Sequence, residues 1–442
     1  YPPEIQAETA LVNFSVTEDG LGDQLLAMVV EKERPDLATL RKGLIAQQNE
    51  FKIKIKKLED DILQRLAAAE GDLTEDVELI EGLEDTKRIA KDIAEKQIVA
   101  KKTETDINTT SEKYRLVAAR GALLFFLMND LFRVHTYYIY SLSAFVTIFL
   151  RAIDDGAAAA AAGGARRRGL SDEDLERRCT ILMDSVTNVV FQYINRGLFE
   201  QDKLTVATQM CFKILLSDGE VDPAALDVLS NSPLDPYPGT PGPLSEWMPE
   251  VMWAKVKALE VVKELSKLGD TMQDSPEAWE AWFDAAQPEA MACPAPYKDL
   301  SALLKLLLLR AMRPDRLPAA LTAFLRTTMG PQYVSPPLFD MAETFKETDV
   351  NSPVFFVLFP GVDPTVWVEE LGAILGFTVD NGKFINISMG QGQEKPAETA
   401  IEEFARDGGW VMLQNVHLMQ SWLPTLERKL EVVAETAHPD FR

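Results

Sequence analysis

The sequence is poor in the side chains that most often bind metals or act as nucleophiles. Its 442 residues include only three cysteines and three histidines. Cys179, Cys211 and Cys293 lie far apart, so they form neither a CxxC pair nor the spacing of a zinc site. No Ser/His/Asp or Cys/His arrangement stands out, and we interpret His417 as a structural histidine. We therefore expect no metal centre, no catalytic nucleophile and three buried, reduced thiols in an intracellular protein.

Positive charge is also scarce. Lys and Arg total 45 against 69 Asp and Glu, and the formal net charge is −24. Nucleic acid and anionic membranes are poor partners for such a chain, because both attract clustered basic residues. The one dense basic run, Arg166-Arg167-Arg168, is too short to change this.

Long apolar runs are missing as well. In the most apolar stretch, Leu123–Leu150, the longest uncharged segment is Thr136–Leu150, which is shorter than the roughly 20 residues of a spanning helix. We predict a buried core helix there. No signal peptide pattern opens the sequence. The start at Tyr1 without Met and the stop at Phe441-Arg442 without a tail-like composition make both ends look like cuts through a longer chain.

Two successive segments carry a seven-residue apolar repeat, which is typical of coiled coils. The repeat positions are Leu37, Leu44, Phe51 and Leu58, then Leu79, Thr86, Ile93, Ala100, Ile107 and Tyr114. Asp36 is the predicted N-cap of the first helix, and Gly71 marks a turn between the two. We predict an antiparallel coiled-coil hairpin whose first helix is roughly 48 Å long; an ordinary helix pair in a bundle is the alternative.

The repeat is imperfect at Gln48, Thr86 and Ala100, so the hairpin could bend or shift register at modest cost. Its second helix is predicted to run on into the apolar residues Val117–Leu150. A flexible loop with an Ala run, two glycines and the Arg triplet is predicted at 154–170.

Other segments have simpler predictions. They are a strand at 10–16, a helix at Leu21–Val30, helical structure at 172–216, loop at 217–245 and a helix at Leu300–Leu309.

The last ninety residues alternate between strand and helix patterns. The predicted strands are Pro353–Phe359, Phe384–Ser388 and Trp410–Asn415, and the predicted helices are Pro364–Leu375, Lys395–Ala405 and Met419–Thr436. Such alternation predicts a parallel sheet covered by helices.

In a sheet of this type, the loop after the first strand is the natural phosphate site. Here that loop contains Gly361, Asp363, Pro364 and Thr365 but no Lys, and Asp363 brings negative charge to a place that needs positive charge. The third strand ends in Gln414-Asn415, where a carboxylate should hold magnesium. These residues argue against hydrolysis, while weak nucleotide binding stays open as an alternative.

At these residues the sequence resembles the dynein heavy chains. Residues 359–364 (FPGVDP), 390–394 (GQGQE) and 413–418 (LQNVHL) are similar to the sixth AAA+ module, the last two in its axonemal form. Residues 20–36 and 47–54 are similar to the end of the fifth module and the helical hairpin that follows it. The resemblance covers nearly the whole chain and is closest to an outer arm heavy chain of the beta type, although the Ala/Gly/Arg insertion at 157–169 departs from the family.

The resemblance implies a mixed fold, in which a long antiparallel coiled-coil hairpin and a helical lid are joined to an α/β AAA+ P-loop-type module with a parallel sheet. The implied domains are the end of the fifth AAA+ large subdomain (1–35), the buttress or strut hairpin (36–115), the helical lid of the fifth module (116–218), the helical N-terminal part of the sixth module (219–350) and its truncated, degenerate P-loop core (351–442).

The resemblance also implies a mechanical role. The buttress contacts the stalk coiled coil of the same heavy chain, and its tip falls at Glu70, Gly71, Asp72, Leu73 and Thr74. No cofactor is expected in this segment, whereas ATP and Mg bind other modules. The implied partners are the stalk, neighbouring AAA+ modules, other dynein heavy, intermediate and light chains, and a microtubule reached through a domain outside this chain.

The implied location is the axoneme of a cilium or flagellum, after assembly in the cytoplasm. Two other interpretations remain open: an active nucleotide-binding AAA+ ATPase module, and a coiled-coil scaffold unrelated to dynein.

Overall fold

The computed structural model describes residues 16–68, 77–162, 172–231, 233–335 and 339–442. The chain forms two compact units, residues 1–336 and 337–442. Helices dominate the described part of both units, and the sheet found among these residues belongs to the second unit.

The described part of the first unit consists of helices and the irregular segments that connect them. Its α-helices are α1 (Glu18–Glu33), α2 (Pro35–Ala68), α3 (Val77–Glu112), α4 (Arg115–Asp130), α5 (Leu142–Ala162), α6 (Asp172–Gly197), α7 (Glu200–Ser217), α8 (Pro223–Asn231), α9 (Glu250–Ala258), α10 (Leu268–Asp274), α11 (Pro276–Asp284), α12 (Ala302–Met312) and α13 (Leu317–Thr328).

One large apolar core joins most of these helices. Leu25 of α1, Phe145 and Phe149 of α5 and Leu182 of α6 are fully buried in it. The contact between α5 and α6 is close, since a Cβ on Gly156 would stand 2.9 Å from the Cβ of Ser185. The Ser185 hydroxyl also donates a hydrogen bond to the carbonyl of Ala152.

The two longest helices, α2 and α3, pack against each other. Phe51, Ile93, Ala100 and Ile107 are buried there, apart from the large core. These are four of the predicted repeat positions, and the side chains of Leu58, Leu79 and Thr86 lie outside the described residues. The connection at 69–76 is also outside them, so the antiparallel coiled-coil hairpin stays a prediction.

The long helix predicted to run from the hairpin through Leu150 is wrong. A turn at Tyr114 separates α3 from α4, and α4 ends at Asp130. The chain then passes through a short 3-10 helix and an irregular stretch before α5. Ser141 stabilises the new start, because its hydroxyl accepts a hydrogen bond from the N–H of Ala144.

The flexible loop predicted at 154–170 is also wrong for its first half. Residues 154–162 are the last turns of α5, because Ala has the highest helix propensity of all residues. Ala157 and Ala160 are buried. Residues 163–170 lie outside the described residues.

Two further predictions need correction. The predicted loop at 217–245 contains α8, whose first turn is capped by the carboxylate of Asp222 accepting from the N–H of Ala224. Asp36 is not an N-cap, because α2 already begins at Pro35 and the Asp36 carboxylate pairs with Arg34 at 3.0 Å instead. Proline suits a first helical position, since its missing N–H has no helical partner there.

The second unit contains α14 (Met341–Phe345), α15 (Thr365–Leu375), β1 (Phe384–Ser388), α16 (Glu394–Asp407), β2 (Trp410–Gln414) and α17 (Leu423–Ala434). β1 and β2 are parallel, with Phe384 opposite Trp410 and Ser388 opposite Gln414. This confirms the predicted parallel sheet and places the loop after β2 at its carboxyl edge.

The strand predicted at Pro353–Phe359 does not form. A strand requires ladder hydrogen bonds to a neighbour, and no described residue forms such a ladder with this segment. Val357 and Phe359 are accordingly exposed. Arg442 pairs with β2 in place of a strand. Its N–H donates to the carbonyl of Gly409, and its carbonyl accepts from the N–H of Val411.

The helical end of α5 can be tested by placing one charge at two adjacent positions of the 442-residue chain. Ala160→Asp buries an unpaired carboxylate and should lower the free energy of unfolding by about 3 kcal/mol or more. Ala159→Asp is the matched control, because Ala159 is exposed, and it should change little. Urea unfolding measures both; equal effects would contradict the helical assignment.

Candidate functional site

The loop before α15 folds around its own carboxylate. Asp363 accepts hydrogen bonds from the N–H of Thr365 at 2.9 Å and from the Thr365 hydroxyl at 2.6 Å. Both bonds favour the ionised form, and they hold the pKa of Asp363 below its usual value, the hydroxyl more than the N–H. The N–H of Thr365, the first residue of α15, has no partner within the helix, and the Asp363 side chain therefore satisfies it.

The end of β2 reaches the same loop. The Gln414 side-chain amide donates to the Thr365 hydroxyl at 2.8 Å. The next residue, Asn415, has a positive φ of 57°, and its amide lies 3.5 Å from the Ser388 hydroxyl at the end of β1. The structure thus brings Asp363, Thr365 and Gln414 into one hydrogen-bonded chain and places Asn415 beside the neighbouring strand.

This arrangement fits a magnesium-bound phosphate poorly. Pro364 has no N–H to offer at the helix start, and the Asp363 carboxylate would repel a phosphate from that start. The Thr365 hydroxyl, the group that binds magnesium in working P-loops, already donates to Asp363 and accepts from Gln414. Gln414 itself is neutral. Gly361, with a φ of 85°, only turns the chain.

The packed helices α2 and α3 form a second candidate site, here called the arm. Gln48, which interrupts the apolar repeat, is half-buried, and its side-chain amide donates to the carboxylate of Glu104 at 3.0 Å. A polar pair inside an apolar seam fixes how two helices align, because any shift separates it. The predicted tip residues, 70–74, lie outside the described residues.

No local pattern in the sequence predicts the charged pair at the base of the arm. Glu33, the last residue of α1, and Arg178 of α6 are 145 positions apart, and both side chains are fully buried. The Arg178 guanidinium donates through Nε to Oε2 and through Nη2 to Oε1 of Glu33, the second bond at 3.1 Å. The one signal available was a lone charge within otherwise apolar helix faces, which does not identify its partner.

The three cysteines are buried among the described residues. Burial raises the pKa of the Cys179 thiol to about 11 and that of Cys211 to about 12, so both thiols are protonated at neutral pH.

Among the described residues, no helix combines the length and the apolar character needed to cross a bilayer.

Two family models match the chain. The "ATP-binding dynein motor region" matches residues 1–93, and the "Dynein heavy chain region D6 P-loop domain" matches residues 349–442.

Curated proteins are similar over the whole chain. Human dynein axonemal heavy chain 9 is 45% identical over 442 residues. The ciliary dynein beta chain of Heliocidaris crassispina is 43% identical over 442 residues, and the flagellar outer arm dynein alpha chain of Chlamydomonas reinhardtii is 41% identical over 512 residues. Each match covers 100% of this chain but only 10% or 11% of the relative. The chain thus spans about a tenth of the length of the curated relatives it matches.

The Asp363 network gives a titration test. Thr365→Val removes the hydroxyl but keeps the backbone N–H, so the pKa of Asp363 should rise part of the way to its ordinary value of about 3.9. The pKa of Asp363 is lower in the folded state than in the unfolded state. Ionised Asp363 therefore stabilises the loop fully at a pH above its ordinary pKa, and this contribution is lost as the pH falls through the folded-state pKa. NMR titration of the Asp363 carboxyl measures the shift.

Val366→Thr is the control for this titration, since it changes the exposed neighbouring side chain and leaves both hydrogen bonds to Asp363. An unchanged Asp363 pKa in Thr365→Val would contradict the network.

Proposed function

Because the chain belongs to the axonemal dynein heavy chain family, we propose that it is a force-transmitting segment of a microtubule motor. The segment runs from the end of the fifth AAA+ module, through the buttress and the lid, into the sixth module. It passes ring movements, driven by ATP at other modules, to the stalk. The observation that carries this proposal is the arm, in which two long helices bury Phe51, Ile93, Ala100 and Ile107 apart from the large core.

The arm is the part of the segment that we assign to the buttress. Its helices include 34 and 36 residues, which corresponds to roughly 50 Å at 1.5 Å per residue. The stalk contact is assigned to the tip at residues 70–74. The imperfect repeat predicts an arm that can shift register, but the half-buried Gln48–Glu104 hydrogen bond supports two helices that keep one register. In this proposal the arm therefore pushes or pulls as a unit.

We further propose that the second unit neither binds nor hydrolyses nucleotide. The hydrogen-bonded chain of Asp363, Thr365 and Gln414 supports this, since it uses the groups that a phosphate and a magnesium ion would need. In this proposal the unit acts as a rigid spacer between ring neighbours.

The relatives support a proposal for the location and the partners. Their names place them in the ciliary and flagellar axoneme, and one of them in the outer arm. We propose the same location for this protein, with neighbouring AAA+ modules and the stalk of its own chain as contacts. Other dynein chains and the microtubule are partners of the whole heavy chain.

One observation favours a second candidate function, nucleotide binding by the sixth module. The family model that matches residues 349–442 is described as a P-loop domain. Equilibrium dialysis of the 442-residue chain against labelled ATP and ADP with magnesium separates the two candidates. We expect no saturable binding up to millimolar nucleotide, and a dissociation constant in the micromolar range would support the second candidate.

The mechanical role is tested at the tip of the arm. In the full-length heavy chain, residues 70–74 are replaced by a Gly/Ser linker of equal length. We expect ATP to bind and turn over, while the ATP-induced weakening of microtubule affinity falls at least tenfold, because a flexible tip cannot transmit force. Microtubule co-sedimentation with and without ATP measures this.

The control for this variant carries the same linker at residues 236–240, an exposed loop of the same unit, and should release normally. Normal release by the tip variant would remove the mechanical role from the arm.

A further inference from the structure

Both helices of the arm join the helical body at one place, here called the root. On one side α1 ends at Glu33 and α2 begins at Pro35. On the other side α3 ends at Glu112 and α4 begins at Arg115. The backbone therefore passes between the arm and the body at two short junctions.

A single helix of the body contacts both junctions. Arg178 of α6 makes the buried two-bond pair with Glu33 on the first side. Cys179, the next residue of α6, points its thiol at the carbonyl of Lys113 on the second side, with a sulfur–oxygen distance of 3.6 Å. Adjacent residues of α6 thus contact the two junctions of the root.

Tyr114, at the second junction, also belongs to this group of buried residues. Its side chain is buried, and burial together with the nearby charge of Glu33 raises the pKa of its phenol to about 12. The phenol thus stays neutral near Glu33 and Arg178, and its ring adds apolar contact between the junctions.

The physical cost of this pair makes its presence informative. Moving two charges out of water costs several kcal/mol per ion, and apolar residues of similar volume often give equal or greater stability. A two-bond Arg–carboxylate pair adds a defined orientation, because the planar guanidinium fixes both the distance and the angle between α1 and α6. Core stability alone would not require it.

We propose that Glu33 and Arg178 are positioning residues that fix the angle of the arm on α6, so that both arm helices follow α6 as one rigid body. Through this pair and the Cys179 contact, any rotation of α6 reaches both junctions at once. The helices then change direction together and do not slide past each other. This inference rests on the proposed force-transmitting function and specifies the residues through which force enters the arm.

Two other sets of charged pairs near the root are more exposed and suit a different role. Lys32 pairs with Asp154 at 2.7 Å, and their side chains are 41% and 52% exposed. Arg115 pairs with Asp23 and Glu112 in a similar setting. Exposed pairs contribute little because water screens them, so the Lys32–Asp154 pair provides a matched control.

The test compares variants of the full-length heavy chain. The double variant Glu33→Met/Arg178→Met keeps apolar volume without the directional bonds. We expect it to fold and to turn over ATP, while the ATP-induced change in microtubule affinity falls at least fivefold. The control Lys32→Gln/Asp154→Asn should keep the wild-type change. Wild-type coupling in the Glu33/Arg178 double variant would overturn the inference.

A conservative variant covers the case in which the double variant fails to fold. Arg178→Lys keeps the buried positive charge but loses the two-bond geometry, and we expect a reduced ATP-induced affinity change with unchanged microtubule affinity in the absence of ATP. A wild-type affinity change in a folded Arg178→Lys chain would overturn the inference.

The outcome for the tip linker separates the two levels of the proposal. If the linker at 70–74 abolishes ATP-induced release while the Glu33/Arg178 variants release normally, the inference about the root fails and the role of the arm stands. If the linker also releases normally, the proposed function itself fails.

Discussion

The buried pair of Glu33 and Arg178 is the constraint on which the arrangement of the first unit depends. It lies where α1, α2 and α6 meet, and it leaves neither charge in water. Removing one partner would leave the other charge unpaired in the core, which is among the costliest single changes a protein can undergo. Around it the fold is ordinary helix packing, with Leu25, Phe149 and Leu182 filling the spaces between the helices. In our proposal the pair sets the angle of the arm on α6.

The second unit shows the opposite use of polar groups. At the carboxyl edge of its sheet, the side chains of Asp363, Thr365 and Gln414 form hydrogen bonds with one another. Parallel sheets place their ligand sites at this edge because strand ends and helix starts converge there. The same convergence that serves a working phosphate site serves here to tie the loop before α15 to the end of β2. Our proposal of a rigid spacer follows from that bond pattern.

Local patterns in the sequence predicted much of this. The bounds of β1 were predicted to the residue, and α15, α16 and β2 nearly so, because alternation and turn residues are local signals. The seven-residue repeat identified buried positions such as Ile93 and Ile107. The errors have physical causes: residues 353–359 have strand composition but no ladder partner among the described residues, and the Ala run continues α5 because α6 packs against it. The Glu33–Arg178 pair could not be predicted, since a single sequence does not show which residues 145 positions apart come into contact.

Distance measurements can show whether the arm moves as one rigid body with α6. Spin labels at Lys52 of α2 and Lys101 of α3, both exposed, report the alignment of the two arm helices in the full-length heavy chain. A second pair at Lys101 and Glu173 of α6 reports the angle of the arm on the body. Our account predicts that both distances stay the same with and without ATP. A nucleotide-dependent change of about 5 Å in the first distance, one helical turn, would show that the helices slide and would contradict it.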